Sequence, residues 1–153
     1  MCIRDSIISA IEEISGDVEF VFPMHPRTKK MAENFGLYSR IESIPGMKIT
    51  PPAGYLDFIS LMSKSKLVLT DSGGLQEETT ALGIPCLTIR ENTERPVTIT
   101  QGTNQLVGTD KDKIISAGLE ALQGNGKSGI IPKYWDGKTS SRIVDVLLQS
   151  IEQ

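Results

Sequence analysis

The sequence predicts a doubly wound α/β domain on a parallel sheet. Short runs rich in β-branched and apolar residues recur along the chain, as in Val18–Phe22, Lys66–Thr70 and Pro85–Ile89. Stretches with apolar residues at helical spacing separate them. Strands alternating with helices call for parallel strands and right-handed crossovers, with helices on both faces of the sheet.

Taken in order, Ile7, Ile11 and Ile14 stand at i, i+4, i+7 with Ala10 between them, and predict a first helix with Ser6 as its N-cap. The chain thus enters an element almost at once, as a compact complete domain or as a piece that begins inside a larger protein. Val18–Phe22 is the first strand, held between Gly16 and Pro23. Residues 28–35 form a short helix stopped by Gly36. Met47–Thr50 is a short strand before Pro51 and Pro52, and Tyr55, Phe58, Ile59 and Met62 mark the next helix. Lys66–Thr70 reads as a buried strand, Asp71–Gly74 as a turn, and Leu75–Leu82 as a helix ended by Gly83. Pro85–Ile89 is a strand, Arg90–Arg95 a polar loop, Pro96 to about Gln101 a helix, and Asn104–Val107 a further strand. Ile115, Leu119 and Leu122 place a helix after Asp110. Residues 123–138, rich in Gly, Lys and Pro, form a long surface loop. Ile143, Val144, Leu147, Leu148 and Ile151 lie on one face of a last helix, expected to close the fold.

Composition narrows the class. The chain has 153 residues, 39% hydrophobic and 23% charged, which suits one globular domain and not a disordered segment. Sixteen basic against 19 acidic residues give a net charge of −3, which speaks against a nucleic-acid binder. No apolar run approaches the roughly 20 residues of a membrane span. Cys2 and Cys86 cannot build a disulfide framework, and with the single His25 they supply no ordinary metal cage. The expected setting is the cytosol.

In doubly wound, Rossmann-like sheets the ligand lies beyond the carboxyl ends of the strands. That directs attention to residues 23–27, 51–54, 71–74 and 90–95. Thr70-Asp71-Ser72-Gly73-Gly74 joins a buried strand to a helix. Its two glycines leave backbone uncovered where an anion could meet unpaired helix N–H groups, with Ser72 adding a hydroxyl. A tight turn with an N-cap explains the same residues equally well. It is neither a Walker A loop nor a GxGxxG fingerprint. Of Glu77 and Glu78, about 100° apart on the helix, at most one can face a cleft, and a carboxylate there can accept from a sugar diol. For each taken alone, complementing the helix N-terminus is the better account. His25, between Pro23 and Pro26, can donate to phosphate or shuttle a proton. Arg27, Arg90 and Arg95 can clamp phosphate from post-strand loops or sit on the surface. Asp110-Lys111-Asp112 reads as a helix cap ahead of a metal-binding D-x-D. Cys86 reads as core, and Trp135 as an anchor for the long loop ahead of a stacking platform.

Together these residues resemble the non-hydrolysing UDP-N-acetylglucosamine 2-epimerase family. The resemblance rests on Leu67 through Glu78, Gly83 through Leu87, Arg90 through Pro96, Gly102 through Asp110, and the Pro-x-His-Pro segment at His25. It covers residues 7–153; residues 1–6 match nothing in the family and read as a leader outside it, an artefact of how the sequence was obtained or a replaced N-terminus. The resemblance implies the C-terminal half of a GT-B architecture, with an N-terminal domain as the partner across the cleft and a homodimer in the full-length protein. It implies interconversion of UDP-GlcNAc and UDP-ManNAc by elimination and re-addition of UDP, with no metal or other cofactor. By motif position, Ser72, Gly73 and Gly74 hold the β-phosphate. Glu78 takes the ribose hydroxyls, and Phe58 lies against uracil, partly through its backbone. His25 contacts the diphosphate as the one catalytic candidate here, and Arg95 serves the phosphate side. The main acid and base carboxylates belong to the other half. Val97 stands where many members carry a glutamate after Thr-Glu-Arg-Pro. A GT-B glycosyltransferase, a hydrolysing epimerase or a non-catalytic nucleotide-sugar module are the alternative readings.

Overall fold

A computed structural model describes residues 3–16 and 18–151. The first helix, α1, spans Ile3–Ile14, so Ser6 sits inside it and does not cap it. Cys2 lies outside the described residues. Strand β1 (Phe20–Pro23) leads through α2 (Pro26–Asn34) and α3 (Tyr38–Glu42) to β2 (Met47–Thr50). Helix α4 (Tyr55–Ser63) precedes β3 (Val68–Thr70), α5 (Gly73–Leu82) and β4 (Cys86–Thr88). Then come α6 (Pro96–Thr100), β5 (Asn104–Leu106), α7 (Lys111–Glu120), a π-helical turn at Ala121–Asn125, and α8 (Thr139–Ile151). Among the described residues no helix is long and apolar enough to cross a membrane.

Every strand pairing is parallel, as the alternation predicts. Hydrogen bonding divides the strands into a β1–β2 pair and a β3–β4–β5 sheet. Strand alternation sends β4 side chains to two chemically different layers. Leu87 joins Ala10, Ile14, Val107, Ile114 and Ala117 in an apolar cluster under α1 and α7. Cys86 and Thr88 face α5, where the interior is polar: Gln76, Thr79, Thr80, Thr98 and Asn104 are all buried. Burial pushes the Cys86 thiol up, and Thr79 and Thr88 hydrogen bonds oppose it in part. That is the thiol of a core residue, as expected.

Local chemistry explains most boundaries. Gly83 ends α5 at φ +71°, a left-handed conformation that glycine adopts without a Cβ penalty. Asp110 caps α7, its carboxylate accepting from the Asp112 and Lys113 N–H groups at 3.0 and 3.1 Å. The capping reading therefore accounts for that acidic pair. At Gly102 a Cβ would meet the Thr80 side chain and the Thr98 carbonyl, at 2.7 Å from the latter, so only glycine lets α6 close on α5. The part-buried Lys127 ammonium donates to the carbonyls of Ile99 and Asn104, tying the start of the long loop to β5; burial lowers its pKa.

Two elements differ from expectation. Helix α3 is absent from the sequence pattern and owes its place to a long-range contact. Arg40 meets Glu12 of α1 as a fork, with Nε and Nη2 each 2.7 Å from a carboxylate oxygen. Helix α8 does not close the fold: none of its residues is buried, and Ile143, Val144, Leu147, Leu148 and Ile151 are all exposed. Its periodicity makes it amphipathic, but periodicity does not specify what the apolar face packs against. Arg142 sets its start, meeting the Asp136 carboxylate and the Tyr134 ring. Trp135 in the same loop is half-buried.

The hydrogen bonds from Arg40 hold the Glu12 carboxyl below its usual range. A depressed carboxylate stabilises the fold above its unfolded pKa, about 4.3, and loses that contribution as pH falls through its folded value. Both side chains are about a third exposed, 35% and 36%, so the expected size is below about 1 kcal/mol. Urea unfolding should show Glu12→Gln less stable than wild type at pH 7. The two should converge in acid, and a difference that persists there would assign the loss to packing.

Candidate functional site

The loops singled out above all leave carboxyl ends of parallel strands. After β3, the Ser72 N–H donates to Thr70 Oγ1 at 3.0 Å, which bends the chain into α5. Ser72 occupies the N-cap position with extended backbone, yet its side chain makes no capping bond. The hydroxyl and the first N–H groups of α5, at Gly73 and Gly74, are therefore uncommitted. Ser72 and Gly74 are exposed and Gly73 is half-buried. A helix N-terminus of this form attracts anions through its dipole and its unpaired donors.

The loop after β4 closes over this cradle. A Cβ placed on Gly73 would have Arg95 Cγ at 3.8 Å and Glu94 Oε2 at 3.9 Å. Arg95 Nε pairs with Glu77 Oε1 at 3.0 Å, and Arg90 Nη2 pairs with Glu94 Oε1 at 3.3 Å. Glu77 is engaged by Arg95, whereas half-buried Glu78 is in no ion pair among the described residues. Arg95 itself is exposed.

His25 follows the carboxyl end of β1, and Phe58 lies on α4, the helix that follows β2. His25 is exposed and caps α2, its Nδ1 accepting from the Arg27 N–H at 3.1 Å. In the neutral ring this places the proton on Nε2, which points a donor away from the helix. Phe58 is half-buried on α4, and its N–H is taken by the Gly54 carbonyl at 2.9 Å. The structure thus brings Ser72, Gly73, Glu77 and Arg95 together; no described hydrogen bond joins His25, Arg27 or Phe58 to them. No group of three or more His, Cys, Asp or Glu side chains is placed to hold a metal among the described residues.

Beneath the cradle lies a buried amide pair that sequence reading assigns no role. Gln76 Oε1 accepts from Thr93 Oγ1 at 2.5 Å and from Asn104 Nδ2 at 3.1 Å. Asn104 Nδ2 also reaches Thr98 Oγ1 at 3.1 Å, and Asn104 Oδ1 accepts from Thr88 Oγ1 at 2.6 Å. Among the described residues Gln76 Nε2 finds no hydrogen-bond partner, although the residue is fully buried. An unsatisfied buried donor costs about 1–3 kcal/mol. The available signal was a glutamine on the inward face of α5, between Gly73 and Thr79.

A family model described as UDP-N-acetylglucosamine 2-epimerase matches residues 3–148. The UDP-N-acetylglucosamine 2-epimerase of Methanocaldococcus jannaschii is 42% identical over 144 residues, which is 93% of this chain and 39% of that protein. A Pseudomonas aeruginosa relative named UDP-2,3-diacetamido-2,3-dideoxy-D-glucuronate 2-epimerase is 40% identical over 147 residues, 93% of this chain and 38% of its own. Among solved structures, the M. jannaschii enzyme in complex with UDP-GlcNAc and UDP superposes with a TM-score of 0.84 at 40% identity, covering 96% of this chain and 41% of that one. The Neisseria meningitidis enzyme bound to UDP-GlcNAc gives 0.79 at 33% identity, covering 94% and 40%. The chain spans about two fifths of the length of the relatives it matches.

Proposed function

The chain belongs to the UDP-N-acetylglucosamine 2-epimerase family, and we propose that it is the half of such an enzyme that holds UDP. The observation that carries this reading is the uncapped start of α5 at Ser72-Gly73-Gly74, with Arg95 lying over Gly73. Similarity to structures solved with UDP-GlcNAc and UDP supports it.

In the proposed arrangement Ser72, Gly73 and Gly74 take the β-phosphate. Glu78, free of the ion pair that engages Glu77, accepts from the ribose hydroxyls. Phe58 lies against uracil, partly through its backbone. His25 Nε2–H donates to the diphosphate, and Arg95 adds positive charge. The reaction removes a proton from C2 and breaks the C1–O bond, giving 2-acetamidoglucal and UDP. Re-addition of UDP, with a proton delivered to the other face of C2, inverts that carbon. Negative charge grows on the leaving β-phosphate as C1–O breaks, and fixed backbone donors there stabilise that charge with no reorganisation. The acid and base at C2 come from the other half, so this chain alone binds UDP without turnover.

Calorimetric titration of the chain with UDP, beside Glu78→Ala, tests the reading. Wild type should bind. The variant, which loses a charge-assisted pair of hydrogen bonds to ribose, should bind about tenfold more weakly or worse. A folded chain that does not bind UDP, even with the upstream half restored, would overturn it.

A further inference from the structure

We infer that Gln76 and Thr93 are positioning residues that seat Arg95 over the phosphate cradle; this deepens the UDP reading and rests on it. The main chain of Arg95 is held on both sides by threonine hydroxyls. Its N–H donates to Thr93 Oγ1 at 3.0 Å, and its carbonyl accepts from Thr98 Oγ1 at 2.7 Å. Both threonines are anchored in turn to the buried amides, Thr93 to Gln76 Oε1 and Thr98 to Asn104 Nδ2. Gln76 belongs to the helix whose first turn is the cradle. The loop over the cradle and the cradle itself are thereby fixed to one side chain.

Glutamine is an unusual occupant of a wholly buried site, and among the described residues its Nε2 donor has no partner. What glutamine supplies is an acceptor that gathers donors from the β4–α6 loop and from β5. Two other polar contacts tether the loop, the Arg95–Glu77 ion pair at 3.0 Å and the longer bond from the Thr109 N–H to Glu91 Oε1 at 3.4 Å. A phosphate would compete with Glu77 for the Arg95 side chain, which leaves the threonine bonds to hold the Arg95 main chain in register against Gly73.

The test compares UDP with uridine on the full 153-residue chain. Uridine shares the base and ribose contacts but lacks the phosphates that Arg95 would meet. Thr93→Val keeps the shape and removes both hydrogen bonds; it should weaken UDP about tenfold and leave uridine unchanged. Thr93→Ser should return UDP affinity to within about twofold of wild type. Gln76→Met, which keeps helix and volume but removes the acceptor, should shift the same ratio. In an Arg95→Ala background, itself weakened for UDP alone, Thr93→Val should add nothing, because the two act through one contact. Equal losses for UDP and uridine, additivity with Arg95→Ala, or no rescue by serine would overturn the inference while leaving UDP binding intact. Wild type that binds uridine and UDP equally would sink it together with the cradle assignment. No binding of either ligand would sink the parent reading.

Discussion

Gly73→Ala is expected to abolish most UDP affinity while leaving the fold at least as stable. A Cβ on Gly73 meets only ordinary van der Waals neighbours, Arg95 Cγ at 3.8 Å and Glu94 Oε2 at 3.9 Å, so the protein accommodates it. In a helix alanine is favoured over glycine by up to about 1 kcal/mol, so the unfolding midpoint should hold or rise. The same methyl projects into the space through which a phosphate would approach the α5 N–H groups. Losing one charge-assisted hydrogen bond and the close approach corresponds to about 1.5–3 kcal/mol, roughly ten- to 150-fold in Kd. Titration with UDP alongside thermal unfolding separates the two effects. Undiminished UDP affinity in Gly73→Ala would reduce the glycine pair to an ordinary turn.

The largest loss of stability is expected from Ile114→Ala. Ile114 is fully buried in the cluster that joins α7 to α1 and to Leu87 of β4. Truncation removes buried apolar surface and leaves a cavity whose neighbours, Ala10 and Ala117, are too short to fill it. Such changes cost about 2–5 kcal/mol, a large share of the 5–15 kcal/mol typical of a domain. Urea unfolding should show a lower midpoint with an unchanged slope. A loss below about 1 kcal/mol would mean that the α1–α7 layer collapses around the gap, and is less tightly packed than its burial indicates.

Features that depend on neighbours in the chain were legible from the residues. Met47–Thr50 is a strand with the bounds its flanking glycine and prolines suggest, and α5 ends before Gly83 as expected, although it starts at Gly73, two residues ahead of the expected Leu75. Asp110 caps α7 through a three-residue span. Features that depend on distant partners were not. Five-residue α3 has no side-chain cap, and Arg40 reaches 28 residues back to Glu12. The apolar stripe of α8 reads like that of any core-facing helix, yet it lies exposed. At the site, the motifs placed Ser72, Gly73 and Arg95 in the connections that follow β3 and β4. They could not show that Glu77 pairs with Arg95, since that contact joins residues 18 positions apart across two loops. Gln76 escaped for a related reason: a glutamine on a helix ordinarily faces water, and only the fold reveals donors arriving from Thr93 and Asn104.

The two faces of the β3–β4–β5 sheet also respond differently to temperature. Apolar surface exposed on unfolding raises the heat capacity, and polar surface lowers it. The isoleucine-rich side under α1 and α7 contributes the first kind, while the threonine and amide layer under α5 contributes the second. Their partial cancellation flattens the curve of stability against temperature relative to a wholly apolar interior of the same size. The side that carries the candidate cradle is held by directional bonds whose hold does not fade on cooling as apolar burial does.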